Sequence, residues 1–252
     1  MSCVVVDIGN TRSTIGLARQ GRISRVSSLS GGVLDPGLIE RSVKHTTRGR
    51  DVSGAVIGSV VPKSTRAWIS VLKRITGSPP VEVTHRLKLD VGIQYPKPQS
   101  IGADRIANAC GARVRYGAPV IVADFGTGLT FDIVSCDGNY IGGVIAPGLP
   151  LMTDYLADRT ALLPHIRLTG SCGIVGKSTE GAMRIGARVG YRGIVREIVT
   201  HLSQSPDLKG AALCATGGYA RWALSGLDMP FHYDPHITLF GLSRIFDLNH
   251  GG

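Results

Sequence analysis

No run of apolar residues in this chain approaches the roughly 20 that a bilayer-spanning helix needs, and the N-terminus enters an apolar strand at once, without a charged leader or cleavage site. A cytoplasmic protein with no membrane partner is the expectation. The five cysteines, Cys3, Cys110, Cys136, Cys172 and Cys214, are odd in number, widely scattered and form no C-x-x-C pair. This argues against a disulfide framework and a zinc site, and leaves buried reduced thiols. Of the seven histidines only His232 and His236 fall at H-x-x-x-H spacing, with Pro235 between them to break a shared helix and no H-E-x-x-H glutamate, and none shows H-x-H, so neither zinc nor a histidine-based triad is supported. Two nucleotide signatures are missing as well. There is no G-x-x-x-x-G-K-[ST] cradle, and Gly126-Thr127-Gly128 lacks the third glycine of the dinucleotide fingerprint, where Phe131 stands instead.

What is present is a globular, turn-rich α/β composition, with 34 glycines and 43% hydrophobic residues in 252. That length suits one large or two moderate domains with a sizeable core. The formal net charge is +10, which fits nucleic acid, a membrane surface or anionic small molecules as partners. The basic residues between Arg41 and Lys88 are spread through mixed sequence rather than forming a run with interleaved aromatics, so a solvated basic surface is expected rather than a nucleic-acid site.

The chain contains a repeat. Val4-Val5-Val6 is a short β-branched run that stops at Asp7, turns through Ile8-Gly9-Asn10-Thr11 and returns along Ser13 to Arg19. Val120-Ile121-Val122 begins a second unit of the same grammar, passing Asp124-Phe125-Gly126-Thr127-Gly128 and returning from Leu129 to Val134. The threonine of the second copy comes one position early. The two aspartates lie 117 positions apart, a separation that suits two similar domains rather than a short-period array. A boundary is expected within 110–119, where a helical stretch from Asp104 gives way to Tyr116-Gly117-Ala118-Pro119. Asp137-Gly138-Asn139 reads as a hairpin turn, a helix should follow from about Pro150, and Ala211 to Ala215 is a buried strand ending at Thr216-Gly217-Gly218. Gly181 to Leu202 has helical spacing, although its three internal glycines weigh against one continuous helix.

The Asp7–Thr11 turn has the parts of a phosphate site: glycine for close approach, exposed N–H groups, a hydroxyl donor, and an aspartate able to hold Mg²⁺ through water. One copy alone would equally be an ordinary Asx-type turn; two strand-flanked copies favour a clamp on both ends of a polyphosphate. Ser100 to Arg105 opens a helix whose N-terminus favours an anion. Asp104 in that first turn either complements the helix dipole or acts as a base toward an alcohol. Arg105 offers a fork for a carboxylate, or a surface salt bridge. Thr216-Gly217-Gly218 could carry a nucleotide's sugar or base, or make a close turn.

Together, Asp7-Ile8-Gly9-Asn10-Thr11, Ser59-Val60-Val61-Pro62, Gln94-Tyr95, Gly102-Ala103-Asp104-Arg105-Ile106-Ala107-Asn108, Asp124-Phe125-Gly126-Thr127, Thr130-Phe131-Asp132, Gly142 to Gly148, Gly176-Lys177-Ser178-Thr179, Thr216-Gly217-Gly218 and Leu239-Phe240-Gly241-Leu242 resemble the type III pantothenate kinases. These belong to the acetate-kinase, sugar-kinase, Hsp70 and actin superfamily. The resemblance implies an α/β fold of two ribonuclease H-like (actin-like ATPase) domains facing across a cleft, divided as residues 1–115 and 116–252. It implies that Asp7, Ile8, Gly9, Asn10, Thr11, Arg12, Ser13 and Thr14 hold ATP phosphates, with Asp7 holding Mg²⁺ indirectly and Thr127 contacting ATP. Tyr95, Gly102, Ala103, Asp104, Arg105 and Thr179 fall at pantothenate-binding positions, Asp104 at that of the catalytic base, and Asp124 at that of a monovalent cation, K⁺ or NH₄⁺. Pantothenate and ATP are the expected partners, within a homodimer. Lys97 stands where the family usually has asparagine, and Gly128-Leu129 replaces its usual small and hydroxyl-bearing pair. Two other readings stay open: a binding protein on a decayed kinase fold, and a nucleotide hydrolase needing no acceptor.

Overall fold

The computed structural model describes residues 2–31, 35–170 and 173–250, so Cys172 lies outside the described residues. The first apolar run forms β1 (Ser2–Ile8), which turns into antiparallel β2 (Arg12–Arg19) and then β3 (Arg22–Ser30). Helix α1 (Pro36–Thr47) leads to β4 (Gly54–Ser59), parallel to β1, and α2 (Pro62–Thr76) leads to the short parallel β5 (Val81–Glu82). Local chemistry sets these helix limits. The Asp35 carboxylate accepts from the Leu38 N–H at 3.0 Å, ahead of Pro36 in the first turn of α1, and α2 runs from Pro62 to a left-handed cap at Gly77. The strand order is β3-β2-β1-β4-β5.

After β6 (Gly92–Ile93) and α3 (Ala103–Tyr116), a second sheet begins with β7 (Val120–Phe125), antiparallel β8 (Gly128–Val134) and β9 (Asn139–Pro147). Helices α4 (Leu149–Arg159) and α5 (Thr179–Leu202) precede β10 (Ala212–Thr216), which is parallel to β7. Then α6 (Ala220–Leu224), parallel β11 (Phe231–Tyr233) and α7 (Ile237–Asn249) follow. The second sheet has six strands in the order β11-β10-β7-β8-β9-β6; without the added edge strand β6, which pairs in parallel with β9, its order repeats that of the first sheet, with β7 antiparallel to β8 and parallel to β10 as β1 is to β2 and β4. The internal repeat seen in the sequence is a duplicated fold.

The chain divides into two compact units: residues 1–117, 138–142 and 236–252 in the first, and 118–137 with 143–235 in the second. It therefore passes between units several times, and α7 belongs to the first. Close contact explains this placement. A side chain at Gly241 would collide with the Ala107 carbonyl, and one at Gly111 would lie 2.6 Å from the Ile237 carbonyl, so α3 and α7 pack almost backbone to backbone. Thr238 donates to Asn108 at 2.7 Å, and Arg244 grips the Asp90 carboxylate with two bonds of 3.1 and 3.2 Å.

Alternation along β1 sorts the first sheet's faces. Val4, Val6 and Ile8 join Ile15, Ile57, Ile39, Val43, Trp68 and Leu72 in a core under α1 and α2. Each such large side chain contributes about 1.5–3 kcal/mol when fully buried. The other face is covered by α3 and α7: a side chain at Gly16 would meet Leu239 at 3.1 Å, and one at Gly58 would meet Leu242 at 3.1 Å and Ala103 at 3.6 Å. In the second unit α5 is continuous over 24 residues despite its glycines. Gly190 admits Met152 of α4, whereas Gly186 and Gly193 face open space, so the helix keeps its register through packing. One cysteine departs from expectation: Cys136 is exposed, because it sits in the turn between β8 and β9, while Cys3, Cys110 and Cys214 are buried and in no disulfide. Among the described residues no helix is long and apolar enough to cross a membrane.

Candidate active site

In the first unit, Asp7 lies near the C-terminal end of β1, opposite Thr14 on β2 and Gly58 on β4. Paired residues share a face, so Asp7 and Thr14 point to the side on which Gly58 meets Ala103 at the start of α3. The turn is closed by the Gly9 N–H donating to the Arg12 carbonyl at 3.0 Å, and Asn10, Thr11 and Arg12 are exposed at its tip. Ile8 and Ser13 differ. Both are fully buried, and the Ser13 hydroxyl faces the α1–α2 core without a hydrogen-bond partner. Neither side chain is available at the turn's open side.

The Gly102-Ala103-Asp104-Arg105 stretch has a stereochemical reason for each residue. Gly102 has an ordinary φ of −60°, so its role is space: a side chain there would run into Asp104 Oδ1 and lie 3.4 Å from Val60. Ala103 is small enough to sit on Gly58. Asp104 Oδ1 accepts from the Arg105 N–H at 2.8 Å. Burial pushes the Asp104 carboxyl above its usual range, against the opposite pull of the Arg105 N–H and guanidinium. Gly102 supplies no side-chain cap, and the Asp104 carboxylate itself takes the Arg105 N–H of the first turn of α3.

Arg105 reaches over the ring of Tyr140, 5.8 Å from its centroid, and Tyr95 meets the same ring edge-on at 6.1 Å. Tyr140 is fully buried on β9, where Asn139 and Tyr140 pair with Gly92 and Ile93. The Tyr95 segment is fixed further by Gln94 donating to the Tyr140 carbonyl at 3.0 Å and by Gly142, whose φ of 125° brings its backbone against the Tyr95 ring. Sequence reading passed over Tyr140: it stands in an ordinary strand, 35 positions from Arg105. Gly142 enters the sequence reading only within the Gly142 to Gly148 stretch of the resemblance. Lys97 is exposed, at the start of a short 3₁₀ turn over Pro98–Ser100.

In the second unit Asp124 lies opposite Thr130 on β8 and Thr216 on β10, the counterpart of the Asp7 register. Four residues separate the last paired positions of β1 and β2, Ile8 and Ser13, but only three separate Phe125 and Leu129. That shorter turn explains why Thr127 falls one position early. Two glycines press on it. A side chain at Gly217, whose φ is 95°, would lie 2.6 Å from the Phe125 backbone and against Asp124, and one at Gly148 would collide with the Thr127 carbonyl. Thr127 is exposed. Thr179 is exposed at the first turn of α5, where Ser178 caps by accepting from the Gly181 N–H at 3.1 Å. Asp7 to Thr14, Tyr95 and Gly102 to Arg105 thus share the first unit, whereas Asp124, Thr127 and Thr179 share the second.

Duplicated sheets of this order, each with an aspartate and a donor-rich turn at the end of its first strand, define the ribonuclease H-like fold of the actin-like ATPases and sugar kinases. Among solved structures, an activator of 2-hydroxyisocaproyl-CoA dehydratase from Clostridium difficile with bound ADPNP shares it. Its TM-score is 0.58 at 12% identity, covering 98% of this chain and 95% of that one. The family model of type III pantothenate kinases matches residues 3–201. Type III pantothenate kinases of Moorella thermoacetica (34% identical, over 98% of this chain and 99% of that protein) and Akkermansia muciniphila (45%, over 77% and 78%) are similar to it. The chain belongs to the type III pantothenate kinase family.

Proposed function

We propose that this protein transfers the γ-phosphoryl group of ATP to the primary hydroxyl of pantothenate, giving 4′-phosphopantothenate at the entry to coenzyme A biosynthesis in the cytoplasm. The observation that carries the reading is Asp104: a half-buried carboxyl with a raised pKa, at the start of α3, on the same face of the sheet as Asp7. A base for an alcohol works best when its pKa lies nearer the working pH than an exposed carboxylate's. In-line phosphoryl transfer is loose, so positioning and charge neutralisation count for more than strong deprotonation. Asp104 orients the hydroxyl and takes its proton. Arg105, set by Tyr140, receives the substrate carboxylate, with Tyr95 beside it and Thr179 as a further donor. Asn10, Thr11 and Arg12 hold phosphate oxygens, and Thr127 contacts the nucleotide.

Among the described residues no three His, Cys, Asp or Glu side chains gather as a metal cage. That fits Mg²⁺, which is usually held by one or two carboxylates, waters and substrate phosphates, with Asp7 as the protein's share. Bound there, the ion neutralises charge on the phosphates. Asp124, whose Oδ1 lies with the Gly128 carbonyl beside Gly126, suits K⁺ or NH₄⁺. Exposed Ile145 on β9, Leu151 and Tyr155 on α4 and Val189 on α5, between 49% and 69% accessible, support a homodimer formed through the second unit.

Turnover of ATP measured with and without pantothenate tests the reading. Mg²⁺-dependent ADP release that requires pantothenate and yields one 4′-phosphopantothenate per ADP is expected. Acceptor-independent release would make the protein a hydrolase, and no release would make it a binder.

A further inference from the structure

We propose that the first unit carries a second anion site, for a phosphate-bearing small molecule, where Arg25, Arg48 and Arg50 gather beside a cavity at the end of the sheet away from the Asp7 turn. The starting observation is a fault in the β2–β3 ladder. Ile15 pairs with Ser27 and Leu17 with Ser24, so Arg25 and Val26 together oppose Gly16. This is a β-bulge, a device that re-aims a side chain. Its first residue has a φ of 52°, a conformation natural to glycine and costly for arginine. Strain of this kind persists where the surrounding structure enforces it, often at ligand sites.

The redirected guanidinium has company. Arg48 is the left-handed cap that ends α1, and the Arg50 N–H donates to the Thr47 carbonyl at 3.2 Å in the same connection. Ser27 and Thr46, whose hydroxyls share a 2.6 Å hydrogen bond, hold β3 beside the C-terminal turn of α1. Arg25 Nη1 is shielded from solvent without a hydrogen-bond partner. Among the described residues, no ion pair engages Arg19, Arg25, Arg48 or Arg50. Burial, then Arg50 and Arg48, lower the Arg25 pKa, the electrostatic signature of like charges held together. The α1 dipole does not account for the group: Lys44 and His45 already serve its last turn, and Arg25 comes from another element.

Arg50 also lines a cavity of about 380 Å³ with Ser2, Leu17, Arg19, Gln20 and Asp51. Ser2 and Asp7 are five residues apart on β1, about 17 Å at the usual strand rise, so this cavity is distinct from the phosphate turn. Several guanidinium forks with a single carboxylate nearby match a phosphate in charge and in geometry. Part of the chain's +10 charge thereby has a use.

The probe is inorganic pyrophosphate, titrated calorimetrically into the full-length protein and into Arg25→Gly and Arg50→Gln, each saturated with a non-hydrolysable ATP analogue so that the Asp7 turn is occupied. Losing one charge-assisted fork should weaken binding about tenfold or more, while kcat measured without pyrophosphate stays at the wild-type value. Arg25→Gly should melt at or above the wild-type temperature, because glycine accepts the bulge conformation. Titration with sulfate and with an RNA oligonucleotide separates the contributions: preference for pyrophosphate over both supports the site. Equal binding by wild type and variants overturns it. So does loss of wild-type binding in sodium chloride of matched ionic strength, which marks a solvated basic surface, or tighter binding of an RNA oligonucleotide than of pyrophosphate.

Discussion

The Asp7 and Asp124 turns occupy equivalent places in two sheets that share a five-strand order, the second extended by β6, and each aspartate lies opposite a threonine, Thr14 or Thr130. Their surroundings differ. Gly58, beside Asp7, supports Ala103 and so brings the start of α3 and its carboxyl to the first turn. Beside Asp124 the corresponding strand runs through Thr216 into Gly217, which packs on the turn itself. The helix that follows β11, the chain counterpart of α3, has left its own unit to pack against α3. Duplication thus supplied two donor-rich turns, but only the first has a helix start carrying an acid. On the proposed function, the second turn serves electrostatics and the first chemistry.

The most direct way to break that division is Asp104→Asn. It should cost at least about a hundredfold in kcat, the low end for a general base, whereas a mere dipole partner would cost about 0.3–1 kcal/mol of stability and little activity. The sign of the pKa shift adds a second readout. Because the folded-state pKa is raised, the ionised carboxyl is disfavoured in the fold, and the stability tied to its protonated form is lost as pH rises through that pKa. Asp104→Asn should therefore melt at the wild-type temperature or higher at neutral pH. The acid limb of the wild-type kcat profile should fall above the ordinary carboxylate range. A variant of near wild-type rate would remove Asp104 as the base.

Gly217→Ala tests whether the second turn depends on its glycine packing more than the first does. The new methyl meets the Phe125 backbone at 2.6 Å with φ at 95°, and overpacking of this kind costs about 1–3 kcal/mol. At Gly9 the methyl would meet only the Arg12 carbonyl, at 3.1 Å. Gly217→Ala should therefore lower Tm clearly more than Gly9→Ala; the reverse order would contradict the asymmetry. A smaller effect is expected from the cation. K⁺ or NH₄⁺ should support turnover better than Na⁺, and Asp124→Ala should abolish that difference, at a cost on the order of tenfold in rate, or ~1.4 kcal/mol. Equal wild-type rates in sodium and potassium would take the cation role from Asp124.

Most of this scaffold was legible because its signals are local. The β-branched runs before Asp7 and Asp124, the glycines of their turns and the acid opening α3 are neighbours in sequence, and the 117-residue repeat follows from them. What was hidden depends on partners far along the chain. Nothing within Leu239-Phe240-Gly241-Leu242 says that Gly241 packs on Ala107, so the return of α7 to the first unit could not be read. The burial of the Ser13 hydroxyl depends on strand register, and the β3 bulge at Arg25 on a pairing fault that alternation alone does not reveal.

Tyr140 shows the same limit, and it yields the smallest of these effects. Its ring is fully buried between Tyr95 and Arg105, both assigned here to pantothenate. It touches the reaction only through them, as a positioning residue. An Arg–aromatic contact is worth about 0.5–1 kcal/mol at exposed sites and about 2 when desolvated. Tyr140→Leu, which removes the π-face but keeps an apolar filler, should then raise the KM for pantothenate by about two- to thirtyfold at 1.4 kcal/mol per decade. The KM for ATP and kcat should move little, because Asp104 and the Asp7 turn are untouched. Tyr140→Phe keeps the ring and should restore most of the lost affinity. That rescue separates the two readings: if Tyr140 were only a core filler, both variants would lower Tm while leaving the two KM values alike. An increase in KM for ATP as large as that for pantothenate would show that the ring serves the whole first unit and not the Arg105 side of it.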